Sequence, residues 1–264
     1  MPPSPRAATP LATLTSPAVG LALCLALAGC ATAPPPVTGP GDTWLGRPIG
    51  PAPAPNPALR QAIIARATRE WEFFGRQTIL FKGSEESIPH VGAWEDDDAL
   101  YSDRVNSYWR AAGKPNLYGM DCQQPWSAAF VSYIMQGAGI PESQFTPAPA
   151  HWIYLSSLID QSGSPGRYFV PRRVQDYSPN PGDLVCASRG SVRPATYGGY
   201  TSAWALEGAY THCDLVVAKN GQSLDVIGGN VRNSVSKSTF DLDAEGHLLA
   251  VPRRPWFVIL QNRL

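Results

Sequence analysis

The sequence predicts an α+β fold in which N-terminal helices pack on a C-terminal antiparallel β-sheet. Two observations in residues 58–264 predict it. Apolar residues recur at helical spacing before Gly166, whereas short apolar runs separated by turn residues dominate after it. Helices that precede strands in this way are typical of α+β domains and not of alternating βαβ units.

Four helices are expected before Gly166. The first begins at Asn56-Pro57, because Asn caps a helix well and Pro is favoured at the first helical position. The second follows the acidic run 96–98, whose charge complements the helix dipole and indicates a solvated cap, not a metal site. The third begins near Pro125 and ends at Gly137, and the fourth covers Trp152 to Ile159.

The second half of the chain reads as a series of short strands. Asn220-Gly221 lies between two apolar runs and indicates a two-residue hairpin. The apolar runs are 184–186, 214–218, 224–227, 248–251 and 256–260.

The N-terminal region predicts export and lipidation. Residues 18–28 form an apolar stretch of signal-peptide length, and the segment Leu27-Ala28-Gly29-Cys30 resembles a bacterial lipobox. This resemblance implies cleavage before Cys30, acyl chains on that residue and, since Ala31 follows, attachment to the outer membrane facing the periplasm. We therefore expect a signal peptide at 1–29, a lipidated Cys and a Pro/Ala-rich tether at 30–57, and one domain at 58–264.

Composition excludes several classes of protein. The chain has 264 residues with 21 basic and 21 acidic side chains, so the basic excess of nucleic-acid-binding proteins is absent. No apolar run is long enough to span a bilayer, and membrane attachment is expected through the lipid on Cys30. We expect a monomer that binds no nucleic acid, uses no cofactor and holds no metal.

Three segments stand in an order that suggests hydrolytic chemistry. Ser127 opens the third helix, where free backbone N–H groups and the helix dipole stabilise developing negative charge. His212 begins a predicted strand after the segment 181–184 (Pro-Gly-Asp-Leu) and can act as a base. Asn230 ends the next strand and can orient the imidazole.

These motifs resemble the papain-like cell-wall hydrolases of the NlpC and CHAP type. The resemblance covers roughly residues 120–235, and segments that include Pro125–Ser132, Phe145 and His151 resemble an uncharacterised bacterial branch of that superfamily. It implies a papain-like fold and cleavage of an amide bond in peptidoglycan. Ser127 occupies the position of the nucleophilic Cys. Because a hydroxyl ionises far less readily than a thiol, Ser127 would need His212 to remove its proton.

The sequence is compatible with several alternatives. Cys122 is an alternative nucleophile, although it precedes Phe130 by eight residues where the motif requires three. Asp214 is an alternative orienter, because residues 212 and 214 share one face of a strand. Trp126 and His151 are candidates for lining the substrate cleft. An inactive hydrolase fold that binds or scaffolds in the cell envelope, with Ser127 as a helix cap, is the alternative function.

The cysteines left after processing are odd in number. Cys122, Cys186 and Cys213 would face an oxidising compartment, where one disulfide and one free thiol are expected. Cys186 and Cys213 are the first candidate pair, because their strands are expected to be neighbours. The sequence leaves all three pairings open.

Overall fold

The computed structural model describes residues 42–189 and 202–264. The predicted signal peptide, the lipidated Cys30 and the first part of the tether lie outside the described residues. Within the described part of the chain, no helix is both long and apolar enough to cross a membrane. The described residues form a mixed α/β structure with four helices and a large, mostly antiparallel sheet.

The four helices lie close to their predicted positions. Asn56 caps the first helix by accepting a hydrogen bond from the Leu59 backbone N–H at 3.0 Å, and Pro57 occupies the first turn. Asp98 caps the second helix in the same way, as the acidic run predicts. The bounds are α1 Pro57–Phe73, α2 Ala99–Ala111, α3 Ser127–Gly137 and α4 His151–Asp160.

The main sheet has eight strands in the order β4-β3-β9-β8-β7-β6-β10-β5. A separate two-stranded ribbon is formed by β1 and β2 near residue 45. The predicted hairpin at Asn220-Gly221 joins β7 to β8. The strand bounds are β1 Thr43–Trp44, β2 Arg47–Pro48, β3 Thr78–Lys82, β4 Glu85–His90, β5 Phe169–Arg172, β6 Leu184–Ser188, β7 Thr211–Asn220, β8 Ser223–Val231, β9 Ser234–Asp241 and β10 Trp256–Asn262.

The sheet differs from the expected purely antiparallel one in its first strands. The segment between α1 and α2, for which the sequence predicts no strand, forms the hairpin of β3 and β4. Strand β3 then pairs with β9 in parallel, whereas every other pair of neighbours in the sheet is antiparallel. The expected strand at 248–251 is reduced to isolated bridges at Leu248 and Val251.

The apolar core has two parts, one on each face of the sheet. The helices pack on one face, where α3 is buried along most of its length and contacts β7 and β8. The second part packs on the opposite face and includes Val216, Phe240 and Val251. Side chains of successive strand residues point to opposite faces, so Cys213 and Leu215 face the helices and Val216 faces away.

Part of the predicted tether packs against the domain. Trp44 and Ile49 are each 5% exposed and belong to the helix-side core. Arg263 donates to the Gly50 carbonyl at 2.7 Å, and Arg172 pairs with Asp42 at 2.9 Å. The folded unit therefore begins before residue 58, because these residues bury apolar side chains that composition alone does not assign to a core.

A disulfide joins two neighbouring strands of the sheet. Cys186 on β6 and Cys213 on β7 are directly opposite each other in the antiparallel register, and their sulfurs are bonded. This is the first candidate pair from the sequence. Cys122 is exposed and free.

Candidate active site

The Ser127 hydroxyl lies at the start of α3 and contacts a histidine. Its Oγ is 2.6 Å from Nε2 of His151, the first residue of α4. The residue at the helix cap is Trp126, which makes no capping hydrogen bond through its side chain, so Ser127 does not act as the cap. A serine and an imidazole at this distance have the geometry of a nucleophile and its general base.

The other nitrogen of His151 is held by a tyrosine of the same helix. Nδ1 hydrogen-bonds the hydroxyl of Tyr154, one helical turn further along α4. If Nε2 accepts the Ser127 proton, Nδ1 carries its own hydrogen and donates it to the tyrosine oxygen. Burial, with His212 nearby, lowers the pKa of His151 well below 6.5, so the imidazole is neutral at pH 7.

His212 forms a second pair with Asp214 on strand β7. The His212 Nε2 and Asp214 Oδ1 atoms are 2.6 Å apart, and both side chains are almost completely buried. Burial opposes ionisation of Asp214, yet His212 and Arg254 hold the pKa of this carboxyl at about 2. Burial lowers the pKa of His212, and Asp214 offsets part of this effect. The pair is a neutral imidazole that donates to a carboxylate.

A glycine on the neighbouring strand makes room for the Asp214 carboxylate. A Cβ atom at Gly228 of β8 would lie 1.8 Å from Asp214 Oδ1 and 3.1 Å from His212 Nε2. Both distances are shorter than van der Waals contact, so a side chain at 228 would displace this pair. The Asp214 carboxylate therefore lies on the same strand as His212, β7, and occupies the space that the absent side chain of Gly228 leaves on β8.

The two histidines are neighbours, although only one contacts the serine. The ring centres of His151 and His212 are 5.5 Å apart in an edge-to-face arrangement. The expected Ser127–His212 hydrogen bond does not form, because His212 Nε2 is bonded to Asp214 and the Ser127 hydroxyl is bonded to His151. The structure therefore brings Ser127, His151, His212 and Asp214 into one cluster. Within it Ser127 pairs with His151, and not with His212 as the sequence predicts.

A cleft of about 640 Å³ opens beside Ser127 and His151. Its floor includes the start of α3 and α4, and Tyr210 and Thr211 contribute to its wall. The Thr211 Oγ1 atom is buried and has no hydrogen-bond partner among the described residues, so it is available to a bound molecule. The aromatic and apolar lining residues are Trp109, Leu117, Pro125, Ala128, Pro149, Ala150, Trp152 and Ala209.

Asn230 does not orient His212. The register of β8 and β9 shifts between Gly228 and Val231, and Asn230 adopts a left-handed conformation with φ of 56° within this irregularity. Such a bulge turns a side chain away from the direction that regular strand alternation gives it. The hydrogen bond to His212 comes instead from Asp214, the alternative orienter in the sequence.

Two other candidates lie outside the cleft. Trp126 is 1% exposed and stacks in the core between Phe74 and Tyr108, with its indole N–H bonded to the Glu95 carboxylate. It is a core residue, because the first turn of α3 faces inward at this position.

Cys122 is exposed in the loop before α3 and does not line the cleft. Partial burial of the sulfur atom and the nearby carboxylates of Glu95 and Asp96 raise the pKa of the thiol to about 11. It is therefore protonated at neutral pH and is a poor nucleophile.

Sequence reasoning placed His151 near the cleft and missed Tyr154. A weak signal exists, since the two residues are three apart on a predicted helix and such side chains are neighbours. Within residues 42–189 and 202–264, no group of three His, Cys, Asp or Glu side chains is placed to hold a metal ion.

Comparison with protein families gives a match for this region. The match covers residues 91–262, from before α2 to the end of β10, and its family is described as an uncharacterised protein conserved in bacteria, DUF2272. Neither curated proteins nor solved structures gave a match. The matched segment contains Ser127, His151, His212 and Asp214 and spans more than half of the chain. The chain therefore belongs to the DUF2272 family.

Proposed function

We propose that this protein is an amide hydrolase of the bacterial cell envelope that cleaves peptidoglycan with Ser127 as its nucleophile. The observation that carries this proposal is the 2.6 Å contact between Ser127 Oγ and His151 Nε2 at the floor of the cleft. The proposed substrate class and a papain-like fold are inferred from the resemblance of short sequence motifs to NlpC and CHAP hydrolases. The buried imidazole of His151 supplies the base.

The proposed reaction follows from the positions of these groups. His151 Nε2 takes the Ser127 proton as Oγ attacks the amide carbonyl, and Tyr154 holds the tautomer with a free Nε2. Backbone N–H groups in the first turn of α3, which have no intrahelical acceptor, stabilise the oxyanion. His151 returns the proton to the leaving amine, and water then releases the acyl group from Ser127.

The His212–Asp214 pair supports this reaction without touching Ser127. The carboxylate lies one imidazole away from His151, and its negative charge favours the protonated form of His151 that arises during attack. In this proposal Asp214 and His212 are positioning and electrostatic residues, and Ser127 and His151 are catalytic.

The attachment of the protein is a separate part of the proposal. We expect the lipid on Cys30 to hold the domain at the outer membrane. Labelled palmitate should enter the wild-type chain and not a Cys30→Ala variant, which should leave the membrane fraction.

The test of activity is digestion of purified peptidoglycan by the full chain, with soluble products identified by mass spectrometry. Ser127→Ala should lower the rate at least ~1,000-fold, because the nucleophile is lost. Ser127→Cys should retain measurable activity, because a thiol at the same position can also attack. Ser132→Ala is a matched control, since Ser132 is another buried serine of α3 that bonds Ala128 and Ala148 and does not line the cleft.

One observation favours the alternative of an inactive binding module. Ser127 and His151 are only 2% and 4% exposed, so a substrate must reach them through the cleft. Absence of any product from folded wild-type protein, together with binding to peptidoglycan, would overturn the hydrolase proposal and support the binding module. Equal product from wild type and Ser127→Ala would reject Ser127 as nucleophile.

A further inference from the structure

A second cavity, of about 390 Å³, lies beside His212 and is strongly basic. Four arginines line it, Arg189, Arg232, Arg253 and Arg254, and we call it the arginine pocket. Glu86 is its one acidic lining residue, so four positive charges face one negative charge. Such a concentration of guanidinium groups around a concave surface favours an anionic ligand.

Glu86 already illustrates how a carboxylate is held at this place. Its Oε1 accepts hydrogen bonds from Arg232 at 2.7 and 3.1 Å, and its Oε2 accepts one from Arg253 at 2.8 Å. Burial opposes ionisation of Glu86, but these arginines bring its pKa below the ordinary value. No carboxylate of the described residues lies within ion-pair distance of Arg189 or Arg254. The Asp214 carboxylate acts on both guanidinium groups only at longer range.

Two buried polar atoms of pocket-lining residues also lack partners. Ser188 is 3% exposed and His212 is 1% exposed, and both line the arginine pocket. The Ser188 Oγ and His212 Nδ1 atoms make no hydrogen bond with any described residue. Buried polar atoms are normally satisfied. The Ser188 hydroxyl can donate to an anion and is therefore a second, independent indication that a polar ligand occupies the site. His212 Nδ1 can only accept, because the ring hydrogen is on the Nε2 atom that faces Asp214, so its partner is a donor such as water or an N–H group of the same ligand.

The arginine pocket adjoins the cleft that contains Ser127. Arg189 lines both cavities. His212 lines the pocket, and its ring is 5.5 Å from that of His151, which lines the cleft. A residue in an extended peptide spans about 3.5 Å, so a ligand in the cleft reaches the pocket within a few residues.

We propose that the arginine pocket binds a free carboxylate of the substrate, one or a few residues from the amide that Ser127 attacks. A carboxylate is favoured because Glu86 shows that arginines of this pocket hold a carboxylate through both of its oxygens, Arg232 at Oε1 and Arg253 at Oε2. The assignment rests on the proposed function only in treating this carboxylate as part of the substrate. Binding itself requires no turnover.

The test measures binding by the full-length Ser127→Ala variant, so that catalysis plays no part. N-acetyl-D-alanyl-D-alanine is the probe, its C-terminal amide is the matched neutral ligand, and inorganic phosphate is the competing anion, all measured by isothermal titration calorimetry. The free acid should bind at least about tenfold more tightly than the amide, because charge-assisted hydrogen bonds to arginine are lost with the charge. Equal binding of acid and amide, or tighter binding of phosphate than of the acid, would overturn the proposal.

Substitutions assign the binding to this pocket. Arg189→Gln and Arg254→Gln should each weaken binding of the acid about tenfold, whereas Arg69→Gln, on the exposed surface of α1, should not change it. Glu86→Gln should strengthen it, because Arg232 and Arg253 are then free to contact the ligand. Unfolding midpoints of all variants separate loss of binding from loss of fold.

The outcomes also separate this assignment from the proposed function. If wild type cleaves peptidoglycan while neither Arg189→Gln nor Arg254→Gln changes binding of the acid, the arginine pocket is rejected as the carboxylate site and the hydrolase proposal is retained. If both variants weaken binding of the acid and wild type cleaves no peptidoglycan, the carboxylate site is retained and the hydrolase proposal is rejected.

Discussion

The two histidine pairs of the site are built in different ways. His212 and Asp214 are two residues apart on one strand, so strand alternation alone places them side by side. Ser127 and His151 are 24 residues apart and meet only because the starts of α3 and α4 converge. One pair is a local property of β7, and the other is a property of how two helices pack on the sheet.

This difference suggests a division of labour. The strand pair has a carboxylate with a low pKa and a fixed imidazole, but it does not reach the hydroxyl. The helix pair contains the hydroxyl and a neutral imidazole next to the cleft, with a tyrosine and no carboxylate behind it. We infer that the helix pair performs the proton transfer and the strand pair sets the electrostatic environment.

The largest expected effect compares His151→Ala with His212→Ala. Loss of His151 removes the base that contacts Ser127, and kcat/KM should fall ~1,000-fold or more, whereas loss of His212 should cost about 10- to 100-fold. Both side chains are buried and of equal size, so each variant is the control for the other. Steady-state kinetics on peptidoglycan fragments measures both. A larger loss in His212→Ala would assign the base to His212 and reverse the division of labour.

The second prediction concerns the stability that the strand pair supplies. Asp214 has a pKa of about 2 in the folded protein against an ordinary 3.8, so its contribution is present above pH 3.8 and is lost as the pH falls towards 2. Asp214→Asn should lower the free energy of unfolding at pH 7 by about 2 kcal/mol, the usual contribution of a hydrogen bond to a charged group, because His212 loses its charged acceptor. Urea denaturation measures this loss.

The pH dependence of this difference is the sharper measurement. The unfolding free energies of wild type and Asp214→Asn should converge between about pH 4 and pH 2, where the wild-type carboxyl takes up a proton. Asp160→Asn, an exposed substitution at the end of α4, serves as the control and should show no loss at pH 7. A constant difference across this pH range would show that the loss arises from packing and not from charge.

The sequence predicts the elements better than their contacts. The start predicted for helix α1 at Asn56-Pro57 agrees with the observed span Pro57–Phe73, because a capping residue followed by Pro is a local signal. The hairpin of β3 and β4 was missed, since a five-residue apolar run such as Thr78–Lys82 has too few residues to separate a strand from a loop by period. Its parallel pairing with β9 joins segments more than 150 residues apart and leaves no local trace.

The site residues also separate into those that local sequence predicts and those that depend on tertiary packing. The shared face of His212 and Asp214 follows from strand alternation, and the position of Ser127 at a helix start follows from its motif. The contact of Ser127 with His151 depends on helix packing. Asn230 does not orient His212 because of an irregularity in β8 that regular strand alternation does not predict. The arginine pocket gathers residues from 189, 232 and 253–254, whose separation in the chain hides their common charge.

The smallest effect is expected at Tyr154, which bears on how the helix pair works without a carboxylate. Tyr154→Phe removes the oxygen that accepts the Nδ1 hydrogen of His151, so the tautomer with a free Nε2 is no longer favoured and kcat should fall about tenfold. In wild type, activity should be lost only below pH 6.5, because burial lowers the pKa of His151 and protonation removes the base. The variant should lose activity at a still lower pH, because the imidazolium has also lost an acceptor. A pH–rate profile of kcat/KM for both proteins measures the shift. If the two profiles coincide and kcat is unchanged, Tyr154 is a packing residue, and the strand pair becomes the remaining source of orientation for His151.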